Sequence, residues 1–240
     1  MKLKSFGCSF IWGSELPDVV IPGNIPSQLT WPARLSRELN MPYECYAWPG
    51  PGNFFIANQV LNQLTREEPT LYVINWTWID RFDFVDQDYT DGRWEVLRPG
   101  RGNHSHGDFY YKNLHSELRD KLHNLQLIKL VTMELLAAQQ PFIMCYMDNL
   151  IFDQRWRTTP AMLKQQEFVK PLMLHWSMPD YEPDVMTWAQ WAVQHGHPIT
   201  NSNHLLESGH ELVFRHVLNR LQRDKIATAL QSAVHKIKTP

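Results

Sequence analysis

Short apolar runs alternate along this chain with longer segments in which apolar residues recur with helical spacing. The short runs predict strands, and the longer periodic segments predict helices. The predicted strands cover residues 2–8, 43–48, 71–74, 141–147 and 197–200. The predicted helices cover residues 30–39, 53–67, 113–139, 184–195 and 206–223, with a helical tail to about 237.

Strand alternating with helix predicts the fold class: a three-layer α/β/α protein with a doubly wound, mostly parallel five-stranded sheet. We expect one domain over residues 1–240. Two segments, 78–112 and 148–182, show no sustained period and are predicted to be irregular excursions from this domain. They are too long for ordinary connections between elements.

Composition and charge exclude several classes of partner. The chain has 23 Lys and Arg against 25 Asp and Glu, a net charge of −2, so we expect no nucleic-acid partner. No apolar run approaches the roughly 20 residues that span a bilayer, so we expect no membrane span. The apolar segment near the N-terminus is broken by Gly7, Ser9 and Gly13, and we predict no signal peptide.

Three cysteines, an odd number without metal-ligand spacing, indicate reduced thiols in a reducing compartment. Together with the absence of a predicted signal peptide, this favours a cytoplasmic location. Oligomeric state leaves no signature in the sequence.

Two residues at strand ends suggest nucleophilic chemistry. Ligands of parallel α/β sheets bind beyond the carboxyl ends of the strands. Ser9 follows the first predicted strand, and His204 follows the last and precedes a helix. A serine hydroxyl is a weak nucleophile that needs a neighbouring base, which His204 would supply. Taken singly, Ser9 is better explained as a turn hydroxyl bonded to backbone, and His204 as an ordinary residue at a helix start.

Four segments together carry a resemblance to a known family. Phe6-Gly7-Cys8-Ser9-Phe10 resembles the Gly-Asp-Ser-Phe block that opens the SGNH/GDSL hydrolases. Residues 48–53 and 75–77 lie where the second and third blocks of that family belong, and residues 201–204 resemble its closing Asp-x-x-His block. Trp31-Pro32, Trp76-Thr77 and Arg81 are similar to features of phage-encoded and bacterial members, which suggests a phage origin and a host-cell cytoplasm or virion location.

The resemblance implies a flavodoxin-like fold and a role for each matched residue. Ser9 would be the nucleophile, His204 the base, and Asn201 the residue that orients His204 where the family has Asp. Ser202 is the other register for that residue, and Asp148 or Asp180 would be an acid supplied from elsewhere. The oxyanion would be held by the amides of Ser9 and Gly50, with Gly52 as a further donor, and by the side chain of Thr77 or Asn75. No metal and no other cofactor is implied.

The function that follows is hydrolysis of a small-molecule or carbohydrate ester, with acetylated carbohydrate as one substrate class. The alternative is a catalytically weak or inactive module of the same fold that binds carbohydrate or a protein partner, because Asn201 has no charge to stabilise imidazolium. A third hypothesis, a zinc site, needs ligands from the residues His104, His106, His195, His197, Asp108 and Asp148.

Overall fold

The computed structural model describes residues 1–19, 25–85, 94–100, 105–153, 160–173 and 187–223. Its strands are β1 (Lys2–Phe6), β2 (Tyr43–Cys45), β3 (Thr70–Trp76), β4 (Phe82–Val85), β5 (Trp94–Leu97) and β6 (Phe142–Tyr146). Its helices are α1 (Ser9–Trp12), α2 (Trp31–Glu38), α3 (Asn53–Asn62), α4 (Ser105–Asn113), α5 (Glu117–Ala137), α6 (Pro160–Val169), α7 (Trp188–Gln194) and α8 (Glu207–Arg223).

Four strands form a wholly parallel sheet in the order β2-β1-β3-β6. This confirms the predicted fold class, a parallel sheet with helices on its faces. The fifth predicted strand differs: Ile199 forms only an isolated antiparallel bridge with Leu205. The backbone at 199–205 turns back on itself there, which leaves too few residues for a ladder.

Alternating residues of the sheet supply two apolar cores. Leu3, Val73 and Cys145 lie in one core, with side chains from α1, α2, α7 and α8. Phe6 and Ile74 lie in the other, with side chains from α3, α5 and α6. Successive strand residues point to opposite faces, so a strand covered on both sides is mostly apolar. All seven residues of β3 are buried, and Thr70 and Asn75 are its polar members.

The excursion predicted over residues 78–112 contains regular structure. Strands β4 and β5 pair as an antiparallel hairpin, and α4 follows them. Phe82 packs on Tyr110 of α4, with ring centroids 4.6 Å apart. The second excursion contains α6 and a parallel bridge from Met173 to Met144 of β6. The predicted tail beyond 223 and the predicted helix start at 184 lie outside the described residues.

Within the described ranges, none of the helices combines the length and the apolar character needed to cross a membrane.

Candidate active site

Ser9 lies at the carboxyl end of β1, where the chain turns sharply into α1. Cys8 is the N-cap of this helix and is fully buried, with its Sγ 3.6 Å from the Sδ of Met147. Ser9 is therefore the first helical residue and is 9% exposed. The first N–H groups of a helix have no intrahelical acceptor. The Ser9 amide is thus available to a ligand placed beside its hydroxyl.

Gly7 makes this turn sterically feasible. A Cβ at this position would lie 2.8 Å from Cγ1 of Ile11 and 3.1 Å from the carbonyl oxygen of Asn75. The 2.8 Å contact would force the Ile11 side chain to move, and the 3.1 Å contact is tight against the backbone of β3. The glycine allows α1 to begin directly against the sheet.

His204 reaches Ser9 across the end of the sheet. Its Nε2 lies 2.8 Å from Ser9 Oγ, so the structure brings together the two residues that the sequence predicts as nucleophile and base. The ring also packs edge-on against Phe10, with centroids 4.7 Å apart. The backbone around it forms a closed turn in which Thr200 N–H donates to the His204 carbonyl at 2.9 Å.

Glu15 provides the third member of the array. Its Oε2 accepts a hydrogen bond from His204 Nδ1, which leaves Nε2 to accept the Ser9 hydroxyl proton. The same oxygen accepts from Thr200 Oγ1 at 2.7 Å, and Oε1 accepts from Ser202 Oγ at 3.3 Å. The Thr200 hydroxyl first, and then the His204 ring, hold the pKa of the Glu15 carboxyl below its ordinary value, although burial opposes them.

The backbone at Glu15 is strained in a way that serves this contact. Glu15 has φ 70°, in the left-handed region that few residues other than glycine adopt. It follows the left-handed Gly13 that ends α1. Outliers of this kind persist only where the surroundings fix them, and they cluster at functional sites.

The expectation for Asn201 is corrected by this geometry. Asn201 is exposed in the turn, and Glu15 takes the imidazole nitrogen that Asn201 was expected to orient. The alternative residue, Ser202, donates its hydroxyl to Glu15 instead. Asp148 is occupied elsewhere, because its carboxylate accepts from the N–H groups of Ile79 and Leu150. Asp180 lies outside the described residues.

The two glycines predicted as oxyanion donors differ in what their amides do. Gly50 has φ 95°, and among the described residues its N–H makes no hydrogen bond. Gly52 N–H donates to Asp83 Oδ1 at 2.6 Å, so it is already occupied. A side chain at either position would collide, with Arg98 at Gly50 and with Asp83 at Gly52. Of the two, only Gly50 is left able to face an oxyanion.

Asn75, and by the same alternation Thr77 just beyond the strand, lie on the face of β3 that carries Val73. That face belongs to the same core as Ile11 and Trp12 of α1. Both side chains are buried, and Asn75 Oδ1 and Thr77 Oγ1 have no hydrogen-bond partner among the described residues. Such orphaned atoms are expensive unless a ligand or water satisfies them. The role of Asn75 or Thr77 as an oxyanion side chain stays a prediction.

The backbone of Thr77 is held rigidly by its neighbours. Its N–H donates to Asn53 Oδ1 at 2.7 Å, and its carbonyl accepts from Asn53 Nδ2 at 3.0 Å. Asn53 in turn donates to Asn124 of α5 at 2.6 Å. This buried network connects the second and third family-like segments.

Sequence reasoning missed Glu15 and Thr200. Glu15 is a single carboxylate in a segment predicted to be loop, and Thr200 was assigned to a strand. The one available signal was distance along the chain: Glu15 follows Ser9 by six residues, close enough for one short turn to return it to the same site.

The described residues contain no group of three or more His, Cys, Asp and Glu side chains placed to hold a metal ion. His104, one of the zinc candidates, lies outside them.

The described strands and helices form an α/β fold with a parallel sheet, and the Ser9–His204 pair lies at the carboxyl edge of that sheet. The chain matches solved structures of GDSL and esterase proteins over most of its length, at low sequence identity.

Three of these matches illustrate the range. A protein described as lipolytic, of the G-D-S-L family of Desulfitobacterium hafniense, is 12% identical with a TM-score of 0.45, over 90% of this chain and 97% of that one. The psychrotrophic esterase EstA of Pseudoalteromonas sp. is 9% identical with a TM-score of 0.49, over 92% and 97%. An acetyl xylan esterase of Butyrivibrio proteoclasticus is 12% identical with a TM-score of 0.48, over 94% and 64%. No family model matches the sequence, and no curated protein does either.

Proposed function

We propose that this protein is a serine hydrolase of esters that uses Ser9, His204 and Glu15. The observation that supports this best is the unbroken hydrogen-bond chain from Ser9 Oγ through both ring nitrogens to the Glu15 carboxylate. A nucleophile, a base in contact with it, and a group that orients the base are the parts that acyl transfer requires.

The reaction begins when Ser9 Oγ attacks the ester carbonyl carbon and gives its proton to His204 Nε2. The Glu15 carboxylate holds Nδ1–H and stabilises the imidazolium that forms. The carbonyl oxygen becomes an oxyanion facing the Ser9 and Gly50 amides, with Asn75 or Thr77 beside them. Each such donor is typically worth about 3 kcal/mol of barrier.

The tetrahedral intermediate collapses when the ester C–O bond breaks and His204 returns its proton to the departing alcohol. A water molecule then attacks the acyl-serine and gives a proton to His204. The second intermediate collapses to the free acid, and the proton returns to Ser9. No group outside the chain and water is needed to balance these steps.

The alternative of a weak or inactive binding module rested on the absence of a carboxylate at the imidazole. Glu15 supplies that carboxylate, so hydrolysis is the function that the site supports better.

For the substrate we propose small-molecule or carbohydrate esters, including acetylated carbohydrate. A pocket of about 500 Å³ adjoins Gly50, with the indole rings of Trp48 and Trp94 on its walls. Trp48 is 50% exposed, and its ring packs edge-on against Trp12 with centroids 5.2 Å apart. Flat apolar rings in a pocket that adjoins the proposed oxyanion donor Gly50 suit the apolar face of a sugar or an aryl group. A cytoplasmic location and a phage origin stay predictions.

A fluorophosphonate probe tests the proposal directly, because it phosphonylates only an activated serine. We expect wild type to be labelled on Ser9 and to hydrolyse 4-nitrophenyl acetate, and Ser9→Ala and His204→Ala to lose both properties. Ser14→Ala is the matched control, because Ser14 lies five residues after Ser9 in the chain. This variant should keep both the labelling and the hydrolysis. Labelling that persists in Ser9→Ala, or an unlabelled and inactive wild type, would refute the assignment.

A further inference from the structure

Asp83 on the β4–β5 hairpin contacts the backbone that leads into the proposed oxyanion site. The Asp83 residue is 9% exposed. Oδ1 accepts from Gly52 N–H at 2.6 Å, and Oδ2 accepts from Phe55 N–H at 2.9 Å. A buried carboxylate is unfavourable unless hydrogen bonds compensate its desolvation. Here burial raises the Asp83 pKa, and the two N–H donors oppose that shift.

These contacts replace a cap that α3 cannot provide for itself. The N-cap residue is Gly52, which has no side chain to bond the free N–H groups of the first turn. Asp83 provides the missing acceptor from strand β4. The helix dipole adds to this interaction, since a negative charge is favoured at a helix N-terminus.

Two other side chains beside the β4–β5 hairpin, Arg81 and Arg98, contact the residues that precede Gly52 in the turn before α3. Arg81 Nη1 donates to the carbonyl of Pro51 at 2.8 Å, with its guanidinium stacked 4.5 Å over Trp78. Arg98, at the end of β5, packs against Gly50. Three consecutive residues of the turn therefore each contact a side chain from the hairpin segment.

We propose that Asp83 is a positioning residue that fixes the direction of the Gly50 N–H, an inference that rests on the proposed function. Glycine has more backbone freedom than any other residue type. The direction of the Gly50 N–H is therefore set by the contacts that hold the neighbouring residues Pro51 and Gly52. An oxyanion donor must lie 2.7–3.1 Å from the oxygen that it stabilises, by the general geometry of such sites. Asp83 supplies that constraint through its hydrogen bond to the Gly52 N–H.

The test compares Asp83→Asn with wild type. An asparagine has one acceptor oxygen for two N–H donors, so either Gly52 or Phe55 loses its bond. We expect kcat for 4-nitrophenyl acetate to fall by about 10- to 100-fold, since a displacement of about 1 Å can cost 100-fold. We expect KM to change by less than about threefold, because the lost interaction acts mainly in the transition state.

Asp120→Asn is the matched control. Asp120 is also a buried aspartate, but it contacts His115 and Arg119 rather than the turn. Arg81→Met is a second test variant, which removes the bond to Pro51 and keeps the alkyl stem. We expect it to lower kcat less than Asp83→Asn does, with an unchanged KM. Faster exchange of the Gly52 amide in Asp83→Asn, measured by NMR, would show that its bond is lost.

Loss of kcat at constant KM in Asp83→Asn, with Asp120→Asn near wild type, supports the inference. If Asp83→Asn does not fold, a fall in kcat at constant KM in Arg81→Met supports it, and unchanged kinetics there overturn it. An unchanged kcat in Asp83→Asn overturns it, as does an equal loss in both aspartate variants that follows their melting temperatures. These two results leave the proposed function intact. A wild type without Ser9-dependent turnover overturns both.

Discussion

Replacing Glu15 by Gln removes one negative charge from the site and nearly preserves its shape. Oε2 of Glu15 accepts from both His204 and Thr200, and Oε1 accepts from Ser202. A glutamine can keep its oxygen at the first position and turn its NH₂ toward the Ser202 hydroxyl, which can accept. The imidazole therefore keeps the tautomer with the proton on Nδ1.

This geometry sets the size of the expected effect. An Asp→Asn change in a serine protease triad lowers turnover by about 10⁴, chiefly because the histidine adopts the wrong tautomer. Here that part of the loss is avoided, and only the charge that stabilises imidazolium is removed. The Glu15 side chain is 43% exposed, so solvent screens the charge. We expect kcat/KM to fall by about 10- to 100-fold in Glu15→Gln, well short of 10⁴.

Glu15→Ala should be worse, because it loses the orientation of the ring as well as the charge. We expect a fall of about 10³ or more, measured as kcat/KM for 4-nitrophenyl acetate and as the rate of fluorophosphonate labelling. Asn201→Ala is the control and should stay near wild type. A large loss in Asn201→Ala together with normal rates in Glu15→Gln would refute this reasoning and restore Asn201 as the orienting residue.

Three further predictions follow from particular contacts. Gly50→Ala should lower kcat strongly, because its φ of 95° and its contact with Arg98 both exclude a Cβ. Adding Arg98→Ala should recover only the part of the loss that is due to the collision. Full recovery of kcat in the double variant would argue against backbone strain. Thr200→Val should raise the Glu15 pKa toward its ordinary value, because the Thr200 hydroxyl is the largest cause of the lowered pKa. An NMR titration of Glu15 that shows no rise in pKa contradicts this prediction. Burial lowers the pKa of His210 to about 3, so the unfolded chain takes up a proton below about pH 6.5 that the folded chain refuses. Stability should therefore be lost as pH falls below about 6.5, by about 2 kcal/mol at pH 5, and melting curves of His210→Asn should show a flatter pH dependence than wild type.

The fold was predictable because its signal is local and repeated. β3 is apolar at almost every position, as a strand covered on both faces must be, and the turn after β2 is marked by Pro49 and Gly50. Ser9 and His204 could be paired because both end up at one edge of a parallel sheet. The hairpin could not be predicted from periodicity: β4 and β5 have four residues each, too few to show a clear alternation.

The identity of the orienting acid was not predictable from family-like spacing. Spacing gives the position of a residue along the chain, but it does not show where the side chain lies in the folded protein. The hydrogen-bond inventory of the turn explains why a carboxylate is needed there. Thr200 Oγ1 already accepts from the N–H groups of Ser202 and His204, so its own hydrogen must go to another acceptor. The Ser202 hydroxyl and the Nδ1–H of His204 point to the same place. The two oxygens of the Glu15 carboxylate accept from all three donors in these directions, whereas an amide has one accepting oxygen and could replace it only if the Ser202 hydroxyl turned to accept from the NH₂ group.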